Sequence, residues 1–359
     1  MTIATTYRVA VLPGDGIGAE VMPPALDVLE RAAHLFGFAF EWQHFDWSCE
    51  HYTRTGAMMP ADALDRLAEF DQILLGAVGY PGVPDHISLW GMLIPIRRHF
   101  SQYVNLRPVT LLPGIESPLR SLPEEGLDFV VVRENNEGEY SEAGGRIYRG
   151  TPHEVAVQES VFTRRGIERV TEFALDLAER RNGRLASATK SNGIIHTMPF
   201  WDEVVRETAA SRPGVELKEY HIDALAALFV LDPGRFDVVV ASNLFGDILT
   251  DLGAAIIGSI GIAPSANLNP EGDHPSMFEP VHGSAPDIAG QGIANPLGQI
   301  WAASMMLDHL GHEDAGRAIM TAIGEVLQSG IRTPDLGGSA STVEVGTAVL
   351  EALGDGGKQ

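Results

Sequence analysis

Short apolar runs typical of β-strands alternate along this chain with longer segments of helical periodicity. The clearest example is DVVVASNLFGDILTDL, residues 237–252, where a strand-like run ends near Ser242 and a helical pattern follows. Either Ser242 or Asn243 can cap that helix. This alternation predicts an α/β protein in which helices cover the faces of a sheet.

Composition narrows the possible functions. The chain has 359 residues, enough for two lobes, and its 25 Lys and Arg against 48 Asp and Glu give a formal net charge of −23, which argues against nucleic-acid binding. Cys49 is the only cysteine, so no intrachain disulfide can form and a reducing compartment is expected. The N-terminal segment lacks a signal-peptide pattern, and the longest apolar run, around Ala254–Ala263, is far shorter than the roughly 18 residues of a membrane span. We therefore expect a cytoplasmic protein without membrane association, whose final GDGGKQ frays.

Asp247 and Asp251 lie four residues apart on the helix that follows DVVVA. Residues at this spacing share one helix face, so both carboxylates can reach one divalent cation. Ligation by oxygen alone suits Mg²⁺ or Mn²⁺. The alternative is a solvated acidic helix face.

Four cations form a second candidate group: Arg97, Arg107, Arg133 and Lys190. Converging arginines in so acidic a chain need an anion, and a guanidinium binds a carboxylate by two hydrogen bonds, which predicts a small polycarboxylate substrate. Each arginine alone can equally belong to a surface ion pair. In RENNEGEY, residues 133–140, Tyr140 is a candidate acid, and Lys190 is a candidate base if nearby positive charge favours its neutral amine. The alternatives are a packed tyrosine ring and a solvated lysine.

Two segments are candidates for dinucleotide binding. In FEPVHGSAPDIAG, residues 278–290, backbone amides from His282 to Ala285 can surround an adenosine. Asp287 can bind a ribose diol and would repel a 2′-phosphate, which favours NAD over NADP. LPGDGIGAE, residues 12–20, follows a strand but lacks a third glycine at the place that a Rossmann site requires and a clear acidic partner on the next strand. The Pro-, Gly- and Asn-rich stretch 262–282 is predicted to be a long functional loop.

Five motifs together resemble those of the β-decarboxylating dehydrogenases, the family of isopropylmalate, isocitrate and tartrate/D-malate dehydrogenases. They are GDGIGAE, NLRP at 105–108, RENNEGEY, SNLFGDILTDL and FEPVHGSAPDIAG, and they occur in the family's order over nearly the whole chain. The resemblance implies an isopropylmalate dehydrogenase-like, two-domain, non-Rossmann α/β fold. One domain would comprise residues 1–102 and 257–359 and the other residues 103–256, with the active site in the cleft between them.

The resemblance also implies a homodimer with shared active sites, an arm of about residues 146–162 that clasps the partner, and activation by K⁺. Lys190 and Asp223 would be lent to the partner's site, where Asp223 joins Asp247 and Asp251 around Mg²⁺ or Mn²⁺. The implied catalytic residues are Tyr140 and Lys190. Substrate binding falls to Arg97, Arg107, Arg133, Trp90 and Leu93, and NAD binding to Glu279, His282, Gly283, Ser284, Ala285, Asp287 and Asn295.

The implied reaction is NAD-dependent oxidation of a 2-hydroxy dicarboxylate and decarboxylation of the resulting β-keto acid. Specificity in the family depends on the segment before Arg97, here DHISLWGMLIP, residues 85–95, which we expect to be a loop. Trp90 is bulky and the segment offers no positive charge for a third carboxylate, so a four-carbon substrate, tartrate and/or D-malate, is predicted. The main alternative is 3-isopropylmalate dehydrogenase. Isocitrate dehydrogenase and a non-catalytic regulatory paralogue are further alternatives, and every implied catalytic residue is present, which disfavours the paralogue.

Overall fold

The computed structural model describes residues 5–124 and 126–354, so all of the tail predicted to fray except Gly354 lies outside the described residues. The strands, in chain order, are β1 (Thr6–Gly14), β2 (Ala39–His44), β3 (Gln72–Ala77), β4 (Val104–Thr110), β5 (Asp128–Glu134), β6 (Gly144–Ile147), β7 (Val155–Gln158), β8 (Arg184–Thr189), β9 (Glu216–His221), β10 (Val238–Ala241), β11 (Pro264–Leu268) and β12 (Ser276–Pro280).

The α-helices are α1 (Gly18–Phe36), α2 (Cys49–Thr55), α3 (Ala63–Leu67), α4 (Asp85–Ser88), α5 (Ile94–His99), α6 (Arg164–Arg180), α7 (Thr197–Ala209), α8 (Ile222–Leu231), α9 (Asn243–Ile256), α10 (Leu297–His309), α11 (Glu313–Gln328) and α12 (Thr342–Ala352). A π-helical turn, Leu89–Leu93, joins α4 to α5, and 3₁₀ turns lie at Pro233–Arg235, Ile260–Ile262 and Pro334–Leu336. Among the helices of the described ranges, none has both the length and the apolar character needed to cross a membrane.

The chain divides into two compact units. The first comprises the described parts of Met1–Gln102 and Ala254–Gln359 together with Leu111–Pro118, and the second comprises Tyr103–Thr110 and the described part of Leu119–Gly253. Leu111–Pro118 and residues 254–256 thus lie in the first unit, whereas the sequence analysis assigns them to the central domain. Close packing of Leu111–Pro118 against α11 of the first unit supports this placement, because a Cβ on Gly114 would lie 2.8 Å from the Leu327 carbonyl oxygen. Residues 254–256 are joined to the same piece by a 2.6 Å hydrogen bond from the Ser117 hydroxyl to the Ile256 carbonyl.

The first unit contains strands in the order β2-β1-β3-β12-β11. β2, β1, β3 and β12 pair in parallel, and β11 runs antiparallel to β12. β3 beyond Gln72 and the centre of β1 are apolar and buried, as expected for parallel strands covered on both faces.

The predicted long loop 262–282 is wrong, because it contains β11 and β12, all ten residues of which are buried. These strands escape sequence prediction because PSANL and SMFEP carry polar residues at inward positions. The structure satisfies those residues internally, as when the Asn267 amide donates to the Met277 carbonyl and to Glu279.

The second unit contains strands in the order β4-β5-β10-β8-β9, with β4 antiparallel to β5 and the others parallel. The carboxyl ends of β5, β10 and β8 therefore meet at one edge. A separate antiparallel hairpin, β6–β7, exposes all eight of its residues.

Candidate active site

The start of α9 lies at the carboxyl edge of the second unit's parallel strands, where α/β proteins place ligand-binding residues. β10 ends at Ala241, which is in register with Arg133 of β5. β4 supplies Arg107, which is in register with Val131 on the other side of β5. The sheet thus brings both arginines beside the helix that carries Asp247 and Asp251.

Arg133 is bound by side chains of α9 through three donor nitrogens. Its Nε and Nη2 donate to Asn243 Oδ1 at 3.2 and 2.7 Å, and its Nη1 donates to Asp247 Oδ1. The other carboxylate oxygen, Asp247 Oδ2, accepts a 2.9 Å hydrogen bond from the Tyr140 hydroxyl. The Arg133 guanidinium also lies 5.6 Å from the Tyr140 ring centroid. The predicted acid Tyr140 is therefore held against a predicted metal ligand.

Arg107 lies between the two aspartates of α9. Its Nη1 donates to Thr250 Oγ1 at 2.6 Å and lies 3.6 Å from Asp247 Oδ1 and 3.9 Å from Asp251 Oδ1. Partial burial raises the pKa of the Asp251 carboxyl, and the Asp247 charge acts in the same direction, while Arg107 opposes them. The arrangement concentrates charges of both signs within one helical turn.

The donor set of α9 suits a hard divalent cation, because Asp247 and Asp251 offer carboxylate oxygens on one helix face. The third predicted ligand, Asp223, lies on α8, where it accepts a 2.7 Å hydrogen bond from Lys190 Nζ. That bond lowers the pKa of the Asp223 carboxyl. No three His, Cys, Asp or Glu side chains of residues 5–124 and 126–354 are arranged to hold a metal. One chain thus brings two predicted ligands together and pairs the third with Lys190.

In the first unit, Arg97 and Glu279 form a buried ion pair with a 2.8 Å separation. Glu279, on β12, also accepts a 2.7 Å hydrogen bond from the Asn267 amide. The predicted cofactor residue Glu279 is therefore the partner of a predicted substrate-binding arginine. Removing one member would leave the other charge buried without its ion-pair partner, which destabilises the fold.

The segment before Arg97 is helical, so the prediction of a loop at residues 85–95 is wrong. α4, the π-helical turn and α5 follow one another directly, and π-helical turns occur frequently at functional sites. Leu93 packs against the hydrophobic core of the first unit. The Arg98 guanidinium lies 5.0 Å from the Trp90 ring centroid. A positive charge from outside the 85–95 segment therefore lies beside Trp90, which the sequence analysis did not foresee.

His282 is the most informative residue of the candidate cofactor segment. It is buried, and burial lowers the pKa of its imidazole, which favours the neutral ring. Nδ1 lies 3.0 Å from the Gly283 carbonyl oxygen, whereas the buried Nε2 has no hydrogen-bond partner among the described residues. Ala285 adopts φ +41°, a left-handed conformation that is strained for a non-glycine residue and that marks functional loops. An unpartnered ring nitrogen beside such a loop fits the edge of an adenine base.

Asp335 is a residue of this region that sequence reasoning missed. Its Oδ2 accepts hydrogen bonds from the Asn295 amide at 3.1 Å and from the Ser259 hydroxyl at 2.5 Å. The side-chain amide oxygen of Asn295, Oδ1, in turn accepts the Leu297 N–H at 3.0 Å. Asn295 is thereby fixed, while the Asp287 side chain is exposed.

The glycines of GDGIGAE allow close backbone packing. A Cβ on Gly14 would lie 1.9 Å from the Ala77 carbonyl oxygen, and one on Gly16 would lie 2.1 Å from that of Ser284. The Asp15 carboxylate accepts three backbone hydrogen bonds, from Cys49, Glu50 and Gly79. The motif therefore joins the β1–α1 turn to β3 and to the segment that contains His282.

The start of α9 differs from the predicted capping arrangement. Asn243 directs its amide oxygen to Arg133, and the Ser242 hydroxyl donates to Glu139. The Leu244 N–H is accepted by Glu139, at 3.0 Å. Sequence spacing contains no signal for this contact, because the carboxylate comes from a segment about a hundred residues away.

Glu134 is a completely buried carboxyl next to Arg133. It accepts backbone N–H groups of Asn136 and Glu137, and Arg169 lies 3.9 Å away. Burial outweighs these contacts and raises the pKa of Glu134 to about 7. The folded protein therefore retains a proton that the unfolded chain releases near pH 4.5. The stability gained from that proton is fully present below pH 4.5 and is lost as pH rises through about 7.

As pH rises from 4.5 to 8, we expect the free energy of unfolding to fall by about 3 kcal/mol more in the wild type than in Glu134→Gln. The variant cannot ionise at this position, so the difference isolates the carboxyl. Urea-induced unfolding at several pH values measures it, with the exposed Glu142→Gln as control. Parallel pH curves for wild type and Glu134→Gln would contradict the prediction.

Comparison with known proteins identifies the family. The model of the isocitrate/isopropylmalate dehydrogenase family matches residues 8–349. The chain is 55% identical over 356 residues to the D-malate dehydrogenase (decarboxylating) of Escherichia coli (strain K12), covering 97% of this chain and 99% of the relative. It is 53% identical over 359 residues to the tartrate dehydrogenase/decarboxylase of Pseudomonas putida, covering 98% of each. The crystal structure of isocitrate dehydrogenase from Methylococcus capsulatus matches with a TM-score of 0.87 at 32% identity, over 97% of this chain and 99% of that one.

The chain belongs to the isocitrate/isopropylmalate dehydrogenase family and is an enzyme. The predicted family and the predicted α/β fold class are confirmed. The roles of individual site residues and the domain boundaries stay predictions.

Proposed function

We propose that this enzyme oxidises a four-carbon 2-hydroxy dicarboxylate, tartrate and/or D-malate, with NAD⁺ and a divalent metal ion, and then decarboxylates the β-keto acid. D-malate would yield pyruvate and CO₂. One observation carries the proposal: Tyr140, Arg107 and Arg133 all contact Asp247 of α9. The 55% identity to an enzyme named D-malate dehydrogenase (decarboxylating) supports this choice of substrate.

The arginines provide the substrate specificity for carboxylates. Arg107 and Arg133 are buried and their orientations are fixed by Thr250 and Asn243, so their forks are preorganised. Arg97 is held in the same way by Glu279. Because these guanidinium groups are already held in place, they lose little conformational entropy when they bind a dicarboxylate.

Lys190 and Tyr140 move the protons. Lys190 accepts the C2 hydroxyl proton at Nζ while C2 loses a hydride, which gives the β-keto acid. The bond from C3 to the departing carboxylate then breaks, CO₂ leaves, and the electron pair remains on the enolate. Tyr140 gives its hydroxyl proton to C3. Positioned acid–base groups of this kind contribute about 10²–10⁴ in rate.

Two bound groups complete the chemistry. NAD⁺ supplies the hydride acceptor, and Mg²⁺ or Mn²⁺ supplies Lewis-acid stabilisation of oxygen charge. Asp247 and Asp251 offer oxygen ligands for the metal, with Asp223 contributed by a partner subunit. The unpartnered Nε2 of His282 and the fixed Asn295 suit adenosine, and the exposed carboxylate of Asp287 favours NAD over NADP. Replacing K⁺ by Na⁺ in the assay tests the K⁺ activation that the resemblance implies.

A homodimer is part of the proposal, and exposed apolar surface of the second unit supports it. Apart from Asp223, α8 consists of apolar residues, and only two of them, Leu225 and Phe229, are buried. The β6–β7 hairpin has no buried residue, and an isolated two-stranded hairpin is marginal in water. The exposed large apolar side chains include Ile147, Tyr148, Val155, Val157, Val161, Ile194, Ile195, Val230, Leu231 and Ile248. Surface of this kind marks a protein–protein interface.

We place the enzyme in the cytoplasm because its lone cysteine suits a reducing compartment.

The substrate assignment is tested by NADH formation with Mn²⁺, comparing D-malate, each tartrate isomer, 3-isopropylmalate and isocitrate. We expect kcat/KM for D-malate or a tartrate to exceed that for 3-isopropylmalate at least about tenfold, because Trp90 takes up space that a branched chain needs. Parallel assays with NADP⁺ test the role of Asp287.

Trp90→Ala serves as the matched variant, and it should narrow the difference between the two substrate types. A clear preference of the wild type for 3-isopropylmalate would overturn the assignment and favour isopropylmalate dehydrogenase. A preference for isocitrate would point to Arg98, beside Trp90, as the partner of a third carboxylate.

A further inference from the structure

Both carboxylate oxygens of Glu139 accept hydrogen bonds from polar groups at the start of α9. Its Oε1 accepts a 2.8 Å hydrogen bond from the Ser242 hydroxyl, and its Oε2 accepts a 3.0 Å hydrogen bond from the Leu244 N–H. N–H groups in the first turn have no acceptor within their own helix, and the positive end of the helix dipole favours a carboxylate there. The cap of α9 therefore comes from another part of the chain.

The segment that carries Glu139 contacts α9 at two further points. The Glu137 carbonyl accepts a 3.2 Å hydrogen bond from the Asn243 amide, and the Tyr140 hydroxyl donates its 2.9 Å bond to Asp247. Asp247 lies three residues beyond Leu244, on the same face. Glu139 and Tyr140, adjacent in sequence, thus bind consecutive points along one helix.

We propose that Glu139 is a positioning residue for the reaction given under Proposed function, on which this inference rests: it anchors the Tyr140 segment to the start of α9 and thereby fixes the Tyr140 hydroxyl against Asp247. Gly138 is fixed by its backbone pairing with Val161, and the next two residues, Glu139 and Tyr140, lie in the turn beyond it. Glu139 therefore anchors the part of the segment from which the Tyr140 hydroxyl reaches Asp247. Without the Glu139 anchor that segment can shift. A displacement of about 1 Å can reduce the rate of a positioned reaction by roughly 10²-fold.

Glu137 offers a matched control in the same segment. Its carboxylate accepts the backbone N–H of Thr163 at 2.8 Å and the Thr163 hydroxyl at 2.9 Å, just before α6. Like Glu139, Glu137 accepts one hydrogen bond from a backbone N–H and one from a hydroxyl. Its donors lie at the start of α6, whereas those of Glu139 lie at the start of α9. Truncating either side chain removes comparable bonds. We expect only the truncation of Glu139 to loosen Tyr140, because Gly138, paired with Val161, lies between Glu137 and Tyr140.

The test measures kcat, KM and thermal stability of variants at these two glutamates. Glu139→Ala should lower kcat by about 10- to 100-fold, while the KM values for the hydroxy dicarboxylate and for NAD⁺ stay within about threefold of the wild type. Glu139→Gln should recover most of the loss, because its amide can accept from Leu244 and donate to Ser242. Glu137→Ala should lose similar stability and keep the wild-type kcat.

A double-mutant cycle with Tyr140→Phe separates positioning from a general effect. In the Tyr140→Phe background, Glu139→Ala should cause little further fall in kcat, because Glu139 acts through the lost hydroxyl. Multiplicative losses, or equal kcat values for Glu139→Ala and Glu137→Ala, would overturn the proposal.

Amide hydrogen exchange keeps this test independent of the substrate assignment. Residues 243–250 should exchange faster in Glu139→Ala than in Glu137→Ala. If the wild type oxidises none of the four-carbon acids, the proposed function fails, while the exchange result stands. Equal exchange in both variants would show that Glu139 does not fix α9.

Discussion

Lys190→Met should lower kcat by about a thousandfold while NAD⁺ binding stays at the wild-type level. Lys190 Nζ is the proposed acceptor of the C2 hydroxyl proton, and a loss within roughly 10²–10⁴ is expected when such a group is removed. Methionine keeps the length of the side chain but cannot accept a proton. Initial rates of NADH formation measure kcat, and calorimetric titration with NAD⁺ measures binding.

Lys218→Met is the matched control for this substitution. Lys218 pairs with Glu216 at 2.8 Å at an exposed site, so its removal should leave kcat and stability nearly unchanged. In the Lys190–Asp223 pair the lysine is half-buried and the aspartate is exposed, so Lys190→Met should unfold at close to the wild-type temperature. A fully active Lys190→Met enzyme would contradict the assigned role.

Mixing two inactive variants should restore activity if active sites are shared between subunits. Lys190→Met and Asp247→Asn should each be nearly inactive alone, since one lacks the base and the other lacks the carboxylate that binds Arg133 and Tyr140. In a heterodimer both defects fall in one site and the other site is intact. After joint unfolding and refolding, half the dimers would be hybrids, so about a quarter of the wild-type activity should return.

The control for mixing is Lys190→Met with Asp223→Asn. Both residues belong to the portion that one subunit would lend to the other, so every hybrid site carries one defect and no activity should return. Recovery in this control, or none with Asp247→Asn, would argue against sites composed as proposed. The two mixtures have the same protein concentrations and differ only in which surface carries the second substitution.

Features set by local sequence could be predicted, and contacts between distant segments could not. The four-residue spacing of Asp247 and Asp251 fixes their common helix face, and the apolar run of β10 fixes the strand before them. The convergence of Arg107 and Arg133 depends on the pairing of β4, β5 and β10, and spacing says nothing about that pairing. The resemblance to a known family supplied this information.

Two segments were wrongly predicted to be loops, because their structure depends on packing against distant residues rather than on their own composition. The stretch 262–282 has the composition of a loop, yet β12 pairs with β3, and buried amide and carboxylate groups such as Asn267 and Glu279 satisfy one another. Residues 85–95 contain Gly91, a helix-disfavouring residue, but a Cβ there would lie 2.8 Å from the Met58 side chain, so close packing accounts for the glycine. Glu139 and Asp335 were missed because their partners lie far away in sequence.

The 2.7 Å pair between Lys190 and Asp223 has a consequence for how the enzyme is switched on. In a lone chain the proposed base is hydrogen-bonded to the proposed metal ligand, so each of these two side chains occupies the other. Assembly would separate the pair by giving Asp223 a cation and Lys190 a substrate hydroxyl. Catalytic activity would then depend on protein concentration. On dilution below the dissociation constant of the dimer, activity per chain would fall in proportion to concentration. Newly synthesised monomers would be inactive until they dimerised.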